Sequence, residues 1–176
     1  MKKLFTEIPY LEGDCVILRA MTPADVPGLR QMTQDDRVYR YLPTFLFEKK
    51  YSDIDTVVDR LYTECFQESI ILGIFAEDGF CGLAEWYGYR DEMHKISMGY
   101  RLRESCWGKG IASEALGLMI DYTYGETDIE IITASTMIEN RASARVLEKN
   151  GFVLVVHAAE EDWGYPQPTL ADKWIR

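Results

Sequence analysis

The chain of 176 residues has little of what membrane-spanning, disulfide-bonded or metal-binding proteins need. Its longest apolar runs are strand-sized, far short of the ~20 residues that cross a bilayer. The first residues, Met1 to Glu7, lack the hydrophobic segment of a signal peptide. These absences predict a cytoplasmic protein without a membrane partner. Because it has two histidines and four scattered cysteines with no C-x-x-C spacing, we expect neither a metal site nor a disulfide framework.

Basic residues are also scarce. Lysine and arginine number 19 against 29 aspartates and glutamates, which gives a net charge of −10 at pH 7. A field of that sign repels phosphate backbones, so we expect no nucleic-acid partner. It attracts a cationic substrate such as an amine, although a negative charge of this kind also serves solubility alone.

Nothing in the sequence marks a boundary between domains. It contains no internal repeat, no low-complexity tract and no linker rich in Gly, Ser and Pro. The hydrophobic share of 47% and the charged share of 27% are typical of an ordinary globular protein. A chain of this length can bury a sizeable core without disulfides or metals. We therefore predict a single domain over residues 1–176.

Short strand-like runs alternate with helical patterns along the chain. Asp78-Gly79 separates two of these runs and predicts a β-hairpin. Seven strands are predicted at 16–20, 70–77, 80–86, 95–102, 129–135, 152–156 and 170–175. Four helices are predicted from Thr22, from Ser52 to Gln67, from Gly110, and from an N-cap at Asn140 to the C-cap pair Asn150-Gly151. A meander followed by βαβ units predicts an α/β fold with a mixed sheet. The aromatic, proline-broken segment 39–47 suits either a loop that lines a pocket or packing in the core.

The segment 107–115, WGKGIASEA, carries the most specific chemistry. Two glycines stand where a strand gives way to an amphipathic helix, so successive backbone N–H groups can close around an anion at the positive end of the helix. A P-loop is excluded because Lys109 lies between the glycines and no Gly-Lys-Ser/Thr triplet occurs. A dinucleotide fingerprint lacks its third glycine, since Ser113 stands there, although Glu130 satisfies its acidic position. The spacing thus predicts a pyrophosphate cradle.

Two segments together, 99–115 and 140–152, resemble the GCN5-related N-acetyltransferase (GNAT) superfamily. The second has the form N-x-x-S-x-x-V-x-E-K-x-G-F, and the branch it resembles most comprises the ribosomal-protein N-terminal-alanine acetyltransferases. The resemblance covers about residues 16–152 and is strongest after Gly99. The superfamily's phosphate loop often begins with Gln or Arg, where this chain has Trp107. That departure puts a side-chain contact in doubt but leaves the backbone cradle intact.

The resemblance implies a mixed, mostly antiparallel central sheet of about six to seven strands flanked by about four helices. It also implies acetyl-CoA as co-substrate and a possible homodimer. The residues implied to hold acetyl-CoA are Met98, Tyr100 and Leu102 on the cofactor strand, Trp107, Gly108, Lys109, Gly110, Ile111, Ala112 and Ser113 in the cradle, and Asn140 opposite them. The thioester would lie between strands that splay apart.

Acyl transfer from a thioester needs a base for the amine and support for the oxyanion. Glu85, on the strand before the cofactor strand, is the first candidate base, with an outward-facing strand carboxylate as the alternative. Ser143 is either the general acid toward the leaving thiolate or simply part of the helix cap. Other polar residues near the predicted site rank lower: Glu104, His94, Tyr87 and the Tyr100 hydroxyl. Cys106 is not expected to be a nucleophile, since direct transfer needs none.

The sequence therefore predicts an N-acetyltransferase that moves acetyl from acetyl-CoA to a primary amine by direct attack in a ternary complex. A peptide N-terminus follows from the resembled branch, and a small amine suits the negative charge equally well. The alternative is a non-catalytic module that binds acetyl-CoA as a sensor or scaffold, because the cradle is better defined than the base.

Overall fold

The fold is that of a computed structural model of the chain, which describes residues 6–176. The sheet contains eight strands: β1 (Leu11–Glu12), β2 (Ile17–Arg19), β3 (Ile70–Ala76), β4 (Gly79–Arg90), β5 (Lys95–Leu102), β6 (Ile131–Met137), β7 (Val153–Glu161) and β8 (Thr169–Ile175). The α-helices are α1 (Val26–Thr33), α2 (Asp36–Tyr39), α3 (Val57–Thr63), α4 (Ile111–Glu126) and α5 (Arg141–Lys149). Short 3-10 turns join several of them.

The strands form one sheet in the order β1-β2-β3-β4-β5-β6-β8-β7. Every neighbouring pair is antiparallel except β5 and β6, which are parallel. The predicted mixed, mostly antiparallel α/β sheet is confirmed, and all seven predicted strands are present. The eighth strand, β1, has two residues, too few to show a period of alternation in the sequence. The fifth helix, α2, is a single turn of four residues.

The early helices begin later than the sequence predicts. At Thr22 the chain forms a 3-10 turn, Pro23–Asp25, in which the Asp25 side chain accepts from the Thr22 backbone N at 2.8 Å, and α1 follows from Val26. The N-cap predicted at Ser52 is wrong: Asp53 caps a 3-10 turn instead and accepts from the Asp55 backbone N at 3.1 Å. The helix predicted to Gln67 also ends early, because α3 stops at Thr63 and a separate 3-10 turn follows.

The predicted hairpin is present, with its turn one residue earlier than expected. Ala76 pairs with Gly79, so the two turn residues are Glu77 and Asp78. Gly79 has φ +90°, in the left-handed region that glycine adopts at no steric cost. The glycine is therefore needed at the first position of β4, where the chain leaves the turn.

Two hydrophobic cores cover the two faces of the sheet. One packs α4 and α5 against the sheet through residues such as Trp86, Leu116 and Ile132. The other packs α1 and α3 against the opposite face, through residues such as Leu29 and Leu61. In β3, Ile70 and Leu72 belong to the first core and Ile71, between them, to the second, as the period of two requires. Strands β3 and β4 are therefore packed on both faces.

The parallel strands β5 and β6 pair over only three residues each. Lys95 to Ser97 face Ile131 to Thr133. Beyond them β5 pairs only with β4, and β6 pairs only with β8. The two strands therefore splay apart along Met98–Leu102, which leaves a gap in the middle of the sheet.

Candidate active site

A cleft of about 1680 Å³ opens where β5 and β6 separate. Its lining comes from the far half of β5, from β6, from the start of α5, and from the loops before α3 and after β7. Of the residues predicted for the site, the lining includes Glu85, Met98, Tyr100, Leu102, Trp107, Gly108, Ala112, Asn140 and Ser143. Lys109, Gly110, Ile111 and Ser113 are adjacent to this lining in sequence but are not part of it.

The predicted cradle has the backbone shape that an anion site requires. Gly108 and Gly110 have φ of +71° and +79°, which side chains other than glycine rarely adopt. A Cβ at either position would meet nothing within 4 Å, so the space above the loop is open. Gly110 is the N-cap of α4, a helix of 16 residues, and no side chain caps it. The first N–H groups of α4 therefore face this open space, and the cradle fits a pyrophosphate.

Several cradle side chains are committed to contacts within the protein. Trp107 Nε1 donates to the Leu102 carbonyl at 2.9 Å, Ile111 is buried in the core, and Ser113 Oγ accepts from Asn150 Nδ2 at 3.1 Å. Lys109 Nζ lies 3.4 Å from Asp78 Oδ2, which compensates part of its charge. The loop therefore offers mainly backbone N–H groups to an anion, with the half-exposed Lys109 ammonium at its rim.

Asn140 and Ser143 stand at the start of α5, on the other side of the gap. Asn140 is the N-cap, and its Oδ1 accepts from the Ser143 backbone N at 3.2 Å. The Ser143 hydroxyl is 3.1 Å from the Tyr100 hydroxyl, so a hydrogen bond joins α5 to β5 across the cleft. Burial raises the pKa of Tyr100 and outweighs the opposing effect of Ser143, so the phenol stays protonated at neutral pH. The sequence did not predict this Tyr100–Ser143 pair.

Glu85 belongs to a buried ionic network. Arg101, with its side chain 3% exposed, donates through Nη1 to Glu85 Oε2 at 2.7 Å. It also donates through Nε and Nη2 to the two carboxylate oxygens of Glu48, both at 2.5 Å, and Tyr39 donates to Glu48 Oε1 at 3.1 Å. Burial disfavours the charged guanidinium, but the attraction of Glu48 and Glu85 outweighs burial and raises the pKa of Arg101. Two carboxylates and one guanidinium give this network a net charge of −1.

Arg101 and Glu48 were not predicted from the sequence as members of the site. Arg101 lies within a predicted strand, between residues that were predicted for the site. A charged residue at a position expected to be buried was the one signal in the sequence that could have identified it. Glu48 carries no such signal, because its partner is 53 residues away along the chain. The predicted base Glu85 is thereby shown to be an ion-paired carboxylate, and its side chain is 13% exposed.

Comparison with known proteins decides the family. Residues 16–153 match the family model described as the acetyltransferase (GNAT) domain. The chain belongs to this family. The resemblance predicted from the two sequence motifs is confirmed, and with it the general activity of a GNAT acetyltransferase, which moves an acetyl group from acetyl-CoA to an amine.

Known relatives cover most of the length of this GNAT chain. The uncharacterised N-acetyltransferase YoaA of Bacillus subtilis is 27% identical over 148 residues, which span 82% of each chain. An acetyltransferase of Salmonella typhimurium that modifies the N-terminal serine of the 50S subunit protein L7/L12 has a TM-score of 0.79, with 19% identity and coverage of 96% and 98%. The spermidine N-acetyltransferase of Vibrio cholerae, in complex with CoA and spermine, has a TM-score of 0.75, with 18% identity and coverage of 93% and 96%. These two structures share the fold.

Two loops of the GNAT chain that line the cleft are in contact with each other. The Thr44 backbone N donates to the Trp163 carbonyl at 2.9 Å, and the Tyr165 hydroxyl donates to the Leu42 carbonyl at 2.7 Å. Both alternatives left open for segment 39–47 hold in part. Most of its aromatic and apolar residues line the cleft, whereas Tyr39 packs against the core and bonds to Glu48.

The lower-ranked candidates lie in different places. Glu104 lines the cleft and is ion-paired with Arg37. Tyr87 also lines it, and burial together with the charge of Glu85 raises the pKa of Tyr87 to about 12. His94 lies outside the lining, in the β4–β5 turn, where its Nδ1 is 2.8 Å from the Asp128 carbonyl. Cys106 is buried.

Residues 6–176 show neither of two further kinds of site, a metal centre or a membrane-spanning helix. In that part of the chain no group of three or more His, Cys, Asp or Glu side chains is placed to hold a metal ion. No helix there is long and apolar enough to cross a membrane.

Proposed function

We propose that this GNAT chain transfers acetyl directly from acetyl-CoA to a primary amine within a ternary complex. The observation that supports it is one cleft whose lining includes both Gly108 of the anion cradle and Glu85 of the net negative ionic network. The donor and the acceptor would enter from opposite ends. Direct attack then needs no covalent enzyme intermediate, because both substrates reach the gap between β5 and β6 together.

At the donor end, backbone groups would hold acetyl-CoA. The N–H groups from Gly108 to Ser113 would bind the pyrophosphate, with Lys109 at the rim. Along Met98–Leu102, β5 has a strand neighbour on only one side, so its other edge is available to the amides of the pantetheine arm. Asn140 would approach from the side of α5. Acetyl-CoA supplies the activated thioester, so the protein has mainly to orient and to move protons.

At the acceptor end, Glu85 would take a proton from the substrate ammonium, directly or through a water molecule, so that the neutral amine can attack the thioester. Arg101 fixes the Glu85 carboxylate at 2.7 Å, and Glu48 balances the charge of Arg101. The resulting net charge of −1 attracts a cationic amine into the cleft. A fixed carboxylate of this kind orients the ammonium as well as accepting its proton.

A pair of hydroxyl groups would protonate the leaving thiolate. Ser143 Oγ and Tyr100 Oη are 3.1 Å apart in the gap where the thioester would lie. Because Tyr100 stays protonated, it can return a proton to Ser143 as Ser143 gives one to sulfur. Starting from the ammonium, the nitrogen loses two protons. One leaves through Glu85 to solvent before the attack, and the other, lost from the tetrahedral intermediate, matches the proton that Ser143 gives to sulfur.

The acceptor would be a primary amine on a peptide N-terminus or on a small molecule. Two enzymes of the same fold act on these two classes: the Salmonella typhimurium enzyme on an N-terminal serine, and the Vibrio cholerae enzyme on spermidine. Each supports an amine at this end of the cleft. The loops 39–47 and 161–165 surround that end, so they would determine how much of the acceptor beyond its amine is recognised.

A panel experiment tests the proposal. The protein is incubated with acetyl-CoA and single amines or short peptides, and both free thiol and acetylated product are measured. We expect acceptor-dependent thiol release that Glu85→Gln lowers by about 100-fold, the scale of general-base catalysis, with acetyl-CoA affinity unchanged. Glu68→Gln is a matched control, since Glu68 also lines the cleft but lies outside the ionic network and outside both loops.

One observation favours a second candidate, the acetyl-CoA-binding sensor or scaffold. Because Glu85 is ion-paired with Arg101, its carboxylate is already occupied on one oxygen. The same experiment separates the two functions: tight binding of acetyl-CoA with no acceptor-dependent thiol across the panel would contradict catalysis and support the sensor.

A further inference from the structure

A second charged cluster lines the cleft, and the proposed reaction does not use it. It consists of Lys95 on β5, Ser135 on β6, Lys173 on β8 and Glu161 at the end of β7. Lys173 Nζ donates to Ser135 Oγ at 3.2 Å and is ion-paired with Glu161. Lys95 forms no ion pair with a carboxylate in the part of the chain that the structure describes. Two lysines and one carboxylate therefore give this cationic cluster a net charge of +1, although the whole chain carries −10.

The strand pairing sets Lys173 and Glu85 in one row across the gap. Glu85 on β4 pairs with Gly99 on β5. Ser135 on β6 pairs with Lys173 on β8. The last parallel pair of β5 and β6 lies two residues before Gly99 and Ser135, so these two residues are at one level and on one face of the sheet. Three strand spacings, at least ~14 Å, separate the Cα atoms of Glu85 and Lys173. The row therefore has a negative end and a positive end, with the gap between them.

The positive end of this row lacks part of its counter-charge. The Lys173 side chain is 28% exposed. Burial, together with repulsion from the nearby Lys95, lowers the pKa of Lys173. A further anion beside the two ammonium groups would reduce this repulsion and accept charge-assisted hydrogen bonds from them. One more negative charge makes the cluster neutral, so a carboxylate matches it better than a phosphate group with nearly two charges.

We propose that the cationic cluster binds a carboxylate of the acceptor, so that the enzyme prefers amines that also carry this group. The inference rests on the proposed function, in which Glu85 receives the ammonium of the same substrate. The acceptor would span the gap, with its amine near Glu85 and its carboxylate near Lys173 and Lys95. A polyamine would instead set a second positive charge against the cluster, which repels it. The row therefore selects an acceptor with one charged group of each sign.

Matched acceptors test the preference. Three short peptides share an N-terminal alanine and differ only in the second residue, which is aspartate, asparagine or lysine. Alanine and alaninamide form a second set, in which the carboxylate belongs to a free amino acid. We expect kcat/KM to be about tenfold higher for the carboxylate member of at least one set, the scale of one hydrogen bond between charged groups. The set that shows this preference identifies the source of the carboxylate.

The variant Lys173→Met tests whether the cationic cluster causes the preference. It removes the charge but keeps an unbranched side chain, and it should abolish the preference for the carboxylate. Lys50→Met is the matched control, because Lys50 also lines the cleft but lies outside the cluster. Lys173→Glu should favour the lysine peptide over the aspartate peptide. Circular dichroism and acetyl-CoA binding check that each variant is folded.

Binding of the N-acetylated products in the presence of CoA supplies a readout that needs no turnover. Calorimetry should show the carboxylate product bound about tenfold more tightly than its neutral counterpart, and Lys173→Met should remove the difference. Equal kcat/KM and equal affinities within both sets would overturn the proposal, and so would a preference that Lys173→Met leaves unchanged. Carboxylate-dependent binding without acetyl transfer to any acceptor would contradict the proposed function and support the cationic cluster as an anion site.

Discussion

The two ends of the cleft are built in different ways. The donor end is made of backbone from segments that are continuous in sequence, and its key residues are glycines and helix N-termini. The acceptor end is made of side chains brought together from far apart, with Arg101 bonded to residues 53 and 16 positions away. Backbone sites tolerate many side chains but no strain, whereas a buried ionic network tolerates no missing member. Mutations at the two ends should therefore have effects that differ in kind and in size.

The largest effect is expected at the acceptor end, from Glu48→Ala. This change leaves Arg101 buried with only Glu85 as a counter-charge, and breaking a buried ion pair costs about 3–5 kcal/mol. The free energy of unfolding, measured with urea, should fall by that amount. Asp55→Asn, which removes the exposed Arg30–Asp55 pair, should cost less than about 1 kcal/mol. Equal effects of the two variants would contradict the difference between a network and a surface pair.

At the donor end, Gly110→Asp should act on binding more than on folding. An aspartate is strained at the φ of +79° that Gly110 has, and it brings a negative charge to the mouth of the cradle. The affinity for acetyl-CoA should therefore fall at least ~100-fold, or about 2.7 kcal/mol. Calorimetric titration measures the affinity. Gly125→Asp is the control, because a Cβ at Gly125 also meets open space and its φ is ordinary. Unchanged affinity for Gly110→Asp would remove the cradle from the proposed function.

Between the two ends, Tyr100→Phe tests the hydroxyl pair. Loss of a proton donor in the transition state should lower kcat about tenfold or more, with acetyl-CoA affinity retained. Ser143→Ala should do the same, and the double variant should be no worse than the more damaging single one, because the two hydroxyls act as a unit. Fully additive effects measured in steady-state kinetics would show that they act separately.

The smallest effect is expected where an ion pair lies away from the cleft, at Asp25. Burial raises the pKa of Asp25, but hydrogen bonds from Arg19 and Thr22 outweigh it and lower the pKa overall. A carboxyl with a lowered pKa stabilises the fold above its unfolded pKa of about 3.9 and loses this contribution as the pH falls through the folded value. Asp25→Asn should therefore cost about 1 kcal/mol at pH 7 and progressively less below pH 4. A cost that does not change with pH would contradict an ionic origin.

Much of the fold could be predicted because it follows local periodicity. All seven predicted strands are present, although β4 and β7 extend to Arg90 and Glu161, beyond their predicted ends at residues 86 and 156. The bounds of α5 were predicted closely, since Asn140 caps it and Gly151 follows it with φ +78°. Prediction failed where neighbouring residues compete for one role. Asp53 displaced Ser52 as a cap, and the 3-10 turns around α1 and α3 shortened both helices. Energy differences between such local alternatives are small, so packing against the sheet decides them.

Within the candidate site, the sequence predicted residues but did not predict their contacts. Ser143 was weighed as cap or acid, and the structure shows its backbone in the cap and its hydroxyl on Tyr100. Glu85 was weighed as base or outward-facing carboxylate, and the structure places it in the cleft, held by Arg101. Each contact depends on a partner from another element, which no spacing along the chain records.

The sequence alone predicted the anion cradle, because a nest of N–H groups needs only glycines, a helix start and their spacing, all within one short segment. It also determined the family, through the motif from Asn140 to Phe152. Only the tertiary structure joined Glu48, Glu85 and Arg101, and only the strand order set Lys173 across the gap from Glu85. The physical reason is the same in both cases: buried charge pairs and rows of side chains across strands depend on which elements become neighbours, and packing of the whole chain decides that.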